Sequence, residues 1–267
     1  MPSRGYPRYG LFKLEQTSRI VSRKEILVTT QPANVLSLPK PAWADEEVGM
    51  LYDMATRFLE TEIAPRYEEF EKAEIFDRES WKKAGENGLL CASIPEEYGG
   101  VPADQFMKIV ASQELARAGA GGVSSSLMSH TIGSPPIARA ARPEVKARVL
   151  PQVLSGEKIS ALAITEPSGG SDVANLRTKA RRDGDHYVVS GEKTFITSGM
   201  RADYITVAVR TDPASNGANG ISALLVEGDT PGLTRTPLQK MGWWASDTAH
   251  LRFDGVRVPA ANLLGHE

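Results

Sequence analysis

From Asp45 onward the apolar residues of the chain recur first at helical spacing and then in alternation. Val48, Leu51, Tyr52, Ala55, Phe58, Leu59 and Ile63 fall at three- and four-residue intervals, which predicts a long helix with one buried face. Pro65, which has no N–H to donate, is expected to kink or end it. Asp77 to Asn87 reads as a second helix, with Asp77 as N-cap and Gly88 as its stop. The segment ASIPEEYGGVPADQF reads as a loop ahead of a helix carrying Val110, Leu115 and Ala116. Gly119 to Gly122 breaks the chain, and Val123 to Ala141 is expected as a pair of small-residue helices containing His130 and Pro135-Pro136. Pro143 and Gly156 frame a last helix, PEVKARVLPQVLSG.

After Gly156 the pattern alternates. Ile159–Ile164, Arg177–Arg182, Tyr187–Ser190, Thr194–Thr197, Tyr204–Arg210, Ile221–Val226, Leu233–Pro237 and Ala249–Phe253 are short, β-branched or aromatic, and bounded by Gly, Asp, Asn or Pro. Their spacing predicts a compact β-barrel or sandwich. Helices first and strands second give an α+β chain: a basic extension over 1–41, an all-α domain over 42–157 and a β domain over 158–267.

Composition narrows the function classes. With 267 residues, 41% of them hydrophobic, the chain can bury the core of one large or two modest domains. A net charge of −2 argues against nucleic acid as the main partner. The single cysteine, Cys91, excludes an internal disulfide and a cysteine metal cluster, and within GLLCASI it reads as a buried structural thiol. No apolar stretch is long enough to span a bilayer, so no integral membrane segment is expected. In the first forty residues Arg4, Arg8, Lys13, Arg19, Arg23 and Lys24 face only Glu15 and Glu25. That is the composition of an organelle transit peptide with a poor amphipathic pattern; a disordered arm, or a start codon placed too far upstream, explains it equally well.

Candidate chemistry concentrates between Ala161 and Gly199. The loop Thr165-Glu166-Pro167-Ser168-Gly169-Gly170-Ser171-Asp172 is followed, across a hairpin, by Phe195-Ile196-Thr197. Gly169 and Gly170 allow close backbone approach, consecutive N–H groups form an anion pocket, and Thr165, Ser171 and Thr197 supply hydroxyls. Taken alone, the loop reads as an ordinary turn. Glu166 and Asp172 resemble an acid/base pair, but beside Pro and Gly turns such carboxylates bond local backbone N–H groups, and neither is assigned as a catalytic base. Trp243 and Trp244 read as packing residues near a substrate mouth.

TEPSGGSD followed by GEKTFITSG resembles the flavin-binding middle domain of the acyl-CoA dehydrogenase family. The similarity runs in order from about Ala42, through the helical stretch, to KMGWWASDTAHLRFDGVRVPAANLLG and Glu267. The wording of WKKAGENGLL and FITSGMRADYITVAVRT is nearest to long-chain and isovaleryl-type members. Asn175 departs from the family, which usually has a smaller residue there. The resemblance implies FAD as cofactor and acyl-CoA as substrate. It places Leu162, Ile164, Thr165, Gly170, Ser171, Phe195, Ile196 and Thr197 among the cofactor-binding residues. Thr165 is expected to bond the pyrimidine edge of the flavin, and Ser171 the pyrophosphate, beside the acyl-CoA. Phe195 is expected to pack on the isoalloxazine ring, and Thr197 to lie near flavin N5. Thr211 falls where relatives contact CoA, with a plain turn residue as the equal alternative. His130 lies in a stretch that lines the family's substrate cavity, with packing on a neighbouring backbone as the alternative.

The implied reaction is α,β-dehydrogenation of a straight medium- to long-chain acyl-CoA to a trans-2-enoyl-CoA. Its electrons would go to an electron-transfer flavoprotein, and the complete enzyme would be a homo-oligomer, a dimer of dimers. At Leu264-Gly265-His266-Glu267 family members turn into a C-terminal four-helix bundle that carries the catalytic glutamate. The expectation is that this bundle is missing and that no residue here maps to the base. A fragment, a truncated product, one subunit of a split enzyme and an acyl-CoA-binding scaffold stay open, as do a flavin oxidase or monooxygenase on the same fold. The expected location is the cytoplasm for a bacterial protein, or the mitochondrial matrix if the extension is a transit peptide.

Overall fold

A computed structural model of the chain describes residues 45–90, 94–101, 105–117, 120–215 and 217–266. The basic extension, Cys91 and parts of the ASIPEEYGGVPADQF loop lie outside the described residues. Helix α1, Glu46–Phe58, starts at Asp45, whose carboxylate accepts from the Val48 N–H at 2.9 Å, and it buries Val48, Tyr52, Ala55 and Phe58. A π-helical turn over Leu59–Ile63 and a 3-10 turn over Ala64–Arg66 follow, leading directly into α2, Tyr67–Ala73. Pro65 therefore neither ends the helical run nor sits in a regular turn. The widened π turn ahead of it loosens the hydrogen-bond ladder where the ring would clash.

Helix α3, Arg78–Glu86, is capped as expected: Asp77 accepts from the Ser80 N–H at 2.8 Å, and Gly88 takes φ +69° beyond its end. Helix α4 spans Gln105–Arg117, and α6, Pro143–Leu154, begins with its proline in the first turn. Gly156 then turns away at φ +73°, with no room for a Cβ, which would fall 2.2 Å from the Trp81 carbonyl oxygen. The expected helix pair over Val123–Ala141 is instead one helix, α5, Gly121–Ala140, running through Pro135 and Pro136. The carbonyls these prolines leave without donors belong to Thr131 and Ile132, both exposed residues that water can serve. Among the described residues no helix is long and apolar enough to cross a membrane.

The β module is an eight-stranded sheet. Its strands are β1 Ser160–Ala163, β2 Lys179–Asp183, β3 His186–Thr197, β4 Tyr204–Arg210, β5 Ile221–Glu227, β6 Leu233–Pro237, β7 Thr248–Pro259 and β8 Leu263–Leu264. They run in the order β6-β7-β3-β2-β4-β5-β8, with β1 parallel to β4. The halves meet through one parallel pair, Lys179 with Arg210, so the sheet is sandwich-like and not a closed barrel. The two segments expected at 187–190 and 194–197 form the single strand β3.

The continuity of β3 hides a change of phase. Tyr187, Val189 and Lys193 are buried early in the strand, whereas Thr194 and Ile196 are buried at its end. The switch lies at a β-bulge between Lys193 and Ile196 in the pairing with β7. One extra residue inverts the facing of everything after it, turning Phe195 and Thr197 outward. The sheet core is built on Ile205, Val207, Leu224, Val226 and Leu251, while the helical core around Trp81, Phe76 and Leu150 also takes in Tyr204 and Leu225 from the sheet. Helix α5 approaches β1 closely: a Cβ on Gly133 would lie 2.3 Å from Ser160 Oγ.

Candidate functional site

The loop after β1 and the end of β3 form one hydrogen-bonded unit. The Thr194 N–H donates to the Thr165 carbonyl at 2.9 Å, and the N–H groups of Glu166 and Gly169 each donate to the other's carbonyl at 3.1 Å. Beneath the loop lies a buried ion pair. Lys193, with no exposed side-chain surface, donates through Nζ to Glu166 Oε1 at 2.9 Å and to the Ile164 carbonyl at 2.8 Å. Glu166 also accepts from the Arg177 N–H at 2.6 Å and the Thr178 N–H at 2.8 Å. Burial pushes its pKa up, but the bonds from Thr178, Arg177 and Lys193 outweigh that and hold it below the usual carboxylate value. Burial holds the Lys193 amine below its usual value, opposed by Glu166. Glu166 is thus an anchor bonded to backbone and to Lys193. Asp172 accepts from Asn175 Nδ2 at 2.5 Å, a local turn contact.

Above this anchor the surface is open. Ser168, Gly169, Gly170 and Ser171 are exposed, and a Cβ on Gly169 would meet nothing within 4 Å. Phe195 stands out at 69% exposure with φ +59°, a left-handed conformation costly for an aromatic residue. Thr197 is half-buried on the same face of β3, and Ile196 between them points into the core. Leu162, Ile164 and Thr165 are half-buried; the Ile164 and Thr165 carbonyls tie the loop to Lys193 and Thr194. The side chain of Ile196 is closed off, and its carbonyl accepts from the Gly199 N–H at 3.0 Å.

Thr197 also lines a groove of about 480 Å³ with Gly121, Met128, Ser129, Ile132 and Trp243. Hydroxyls on this wall are taken up by backbone carbonyls: Ser124 donates to Leu115 of α4 at 2.9 Å, and within α5 Ser129 donates to Ser126 and Thr131 to Met128, both at 2.7 Å. The groove therefore presents a mainly apolar surface, and no carboxylate lines it among the described residues. A more polar hollow of about 530 Å³ opens between Ser168, Arg177, Ser190 and Arg252, where Glu192 and Asp254 balance the arginines.

Two expected ligand residues lie elsewhere. His130 is fully buried, stacked on Trp81 at 4.4 Å, and its Nε2 accepts from the Ser160 N–H at 3.2 Å. Burial pushes its pKa down to about 3, against a weaker upward pull from the Val153 carbonyl. The ring is a neutral joint between α3, α5 and β1 and does not face the groove, contrary to the expected substrate contact. Thr211, at the end of β4, shares a 2.7 Å hydrogen bond with Ser222 and is not among the groove residues. Lys193, Met128, Ser129 and Ile132 are not marked as site residues by any motif in the sequence. For Lys193 a usable signal existed, a cation at an inward position of a strand facing the Glu166 turn.

An open, glycine-lined loop and an outward aromatic at a positive φ thus lie beside a mainly apolar groove. Residues 45–157 match the acyl-CoA dehydrogenase N-terminal domain and residues 161–256 the acyl-CoA dehydrogenase middle domain. The chain belongs to the acyl-CoA dehydrogenase family. It is 41% identical over 213 residues to the mitochondrial long-chain specific acyl-CoA dehydrogenase of Rattus norvegicus, covering 79% of this chain and 49% of the relative. It is 37% identical over 227 residues to the mitochondrial isovaleryl-CoA dehydrogenase of Pongo abelii, covering 83% and 53%. The crystal structure of an acyl-CoA dehydrogenase complexed with FAD from Bacillus anthracis superposes with a TM-score of 0.78 at 36% identity, covering 85% of this chain and 38% of that one. The chain thus spans about half the length of the relatives it matches.

Proposed function

We propose that this chain forms the FAD- and acyl-binding part of an acyl-CoA dehydrogenase that converts an acyl-CoA thioester to a trans-2-enoyl-CoA. The observation that carries this reading is Phe195, an aromatic held outward at a strained φ of +59° beside an open loop, on one face with Thr197. An exposed aromatic at such a backbone position, fixed by a bulge, suits a planar ring stacked on it. Bound FAD would supply the hydride acceptor for the β-hydrogen. Thr165 and Ser171 offer hydroxyls on the loop, and Gly169 and Gly170 leave its backbone approachable, which fits the edge and the pyrophosphate of such a cofactor. Thr197 offers a hydroxyl at the junction of cradle and groove, where a donated hydrogen bond favours negative charge.

The groove along α5 takes the acyl chain and excludes water from it. Because no carboxylate lines the groove among the described residues, the α-proton is taken by a group outside them. Thr211 is retained as a proposed CoA contact, an electron-transfer flavoprotein as the proposed electron acceptor, and a homo-oligomer as the proposed assembly. The test is an anaerobic visible-absorption titration of the purified chain with FAD, followed by acyl-CoAs of increasing length. We expect bound flavin whose spectrum shifts without bleaching. Bleaching by one chain length would show that a base lies within this chain, and absence of flavin binding would overturn the reading.

A further inference from the structure

We infer that Trp243 is the end wall of the acyl groove, the side chain that limits how long a chain this protein accepts. The inference rests on the acyl-binding reading of that groove. Trp243 and Trp244 are adjacent but engaged differently. The Trp244 indole N–H donates to the Lys240 carbonyl at 2.9 Å, closing the loop on itself. Trp243 is 63% exposed, takes φ +53°, and lines the groove.

The loop that presents Trp243 is clamped on both sides. The Trp243 carbonyl accepts from Lys240 Nζ at 2.6 Å and from the Ser246 N–H at 3.0 Å, and Lys240 also bonds the Ser246 carbonyl. Glu71 on α2 accepts from the Trp244 and Ala245 N–H groups, both at 3.1 Å. Two bonds thus pin the backbone of a residue whose own side chain is mostly exposed. The indole lies against the start of α5, where residue 121 is glycine; a Cβ there would sit 2.4 Å from Trp243 Nε1. The missing side chain at Gly121 is the slot that the indole fills.

The positions along α5 set a length. The Thr197 end of the groove lies beside Ser129, whose Oγ is 3.0 Å from Ser198 Oγ. From Ser129 back to Gly121 is eight residues of helix, about 12 Å at the helical rise. An extended chain of roughly ten carbons fills that distance, with C–C bonds of about 1.5 Å in zigzag.

The experiment is calorimetric titration of the FAD-supplemented full chain with saturated straight-chain acyl-CoAs from four to sixteen carbons. It compares wild type with Trp243→Ala, Trp243→Phe and Gly121→Ala, with far-UV circular dichroism as the folding control. In wild type, affinity should rise about fourfold per added methylene and stop rising near ten carbons. Trp243→Ala should carry the rise on to fourteen or sixteen carbons, Trp243→Phe should keep a break, and Gly121→Ala should displace the indole and blur it. An unchanged break in a folded Trp243→Ala variant overturns the inference and leaves acyl binding standing. No binding by any of the proteins overturns the acyl-binding reading and the inference with it.

Discussion

Replacing Lys193 with Met tests the anchor beneath the loop after β1. The side chain is fully buried and divides its ammonium between Glu166 Oε1 and the Ile164 carbonyl. Methionine keeps most of the volume but leaves the Glu166 carboxylate buried with only the Arg177 and Thr178 N–H groups, and leaves the Ile164 carbonyl without this donor. Removing one partner of a buried pair costs about 3–5 kcal/mol. For a folded body of this size that is a loss of about 6–20 °C in melting temperature. Thermal and urea melts followed by far-UV circular dichroism read it directly. The double variant with Glu166→Gln buries no charge, so its loss should fall short of the sum of the singles by about 0.5–3 kcal/mol. A Lys193→Met protein melting within about 1 °C of wild type would refute the anchor.

Three further outcomes follow from particular contacts. The folded His130 holds its pKa near 3 against 6.5 for the free ring, so between these values the unfolded chain binds a proton that the folded chain lacks. Stability should therefore fall by about 1.4 kcal/mol per pH unit as pH drops below about 6.5. Glu166, lowered in the fold, adds its own loss below the ordinary carboxylate value of 4.5. His130→Gln should flatten the upper part of that slope in melts across pH. Gly156→Ala combines a left-handed φ with a 2.2 Å contact to the Trp81 carbonyl oxygen and should cost about 3 kcal/mol or more in urea melts. Phe195→Gly relieves strain and removes an exposed ring, so the cofactor-free protein should be up to about 1 kcal/mol more stable by the same measure.

Much of the fold is legible because the signals are local. The buried face of α1, the Asp77 cap of α3 and the Gly156 stop depend on spacing and on backbone rules that act within a turn. Strands β4 and β6 have the bounds that alternation predicts. The unread parts are those set by tertiary context. Pro135 and Pro136 read as a break, yet α5 continues because their cost falls on exposed carbonyls while Gly133, Ser129 and Ser134 hold the helix against the sheet. For His130, both faces of α5 mix small residues with large apolar ones, Leu127 and Ile137 on one side and Met128 and Ile132 on the other, so periodicity does not separate the side toward β1 from the side toward the groove. The residue types of the proposed cradle are visible in TEPSGGSD and FIT, but their common facing is not. That facing depends on the bulge after Lys193, a register event that only the pairing with β7 defines.

The proposed flavin cradle, formed by the loop after β1 and the outward face at Phe195 and Thr197, is tested by the dissociation constant for FAD of wild type and Phe195→Gly. Quenching of flavin fluorescence under identical conditions reads it. Wild type should bind saturably and the variant should lose at least about tenfold, the equivalent of about 1.4 kcal/mol of stacking. Equal affinity in two folded proteins would contradict it.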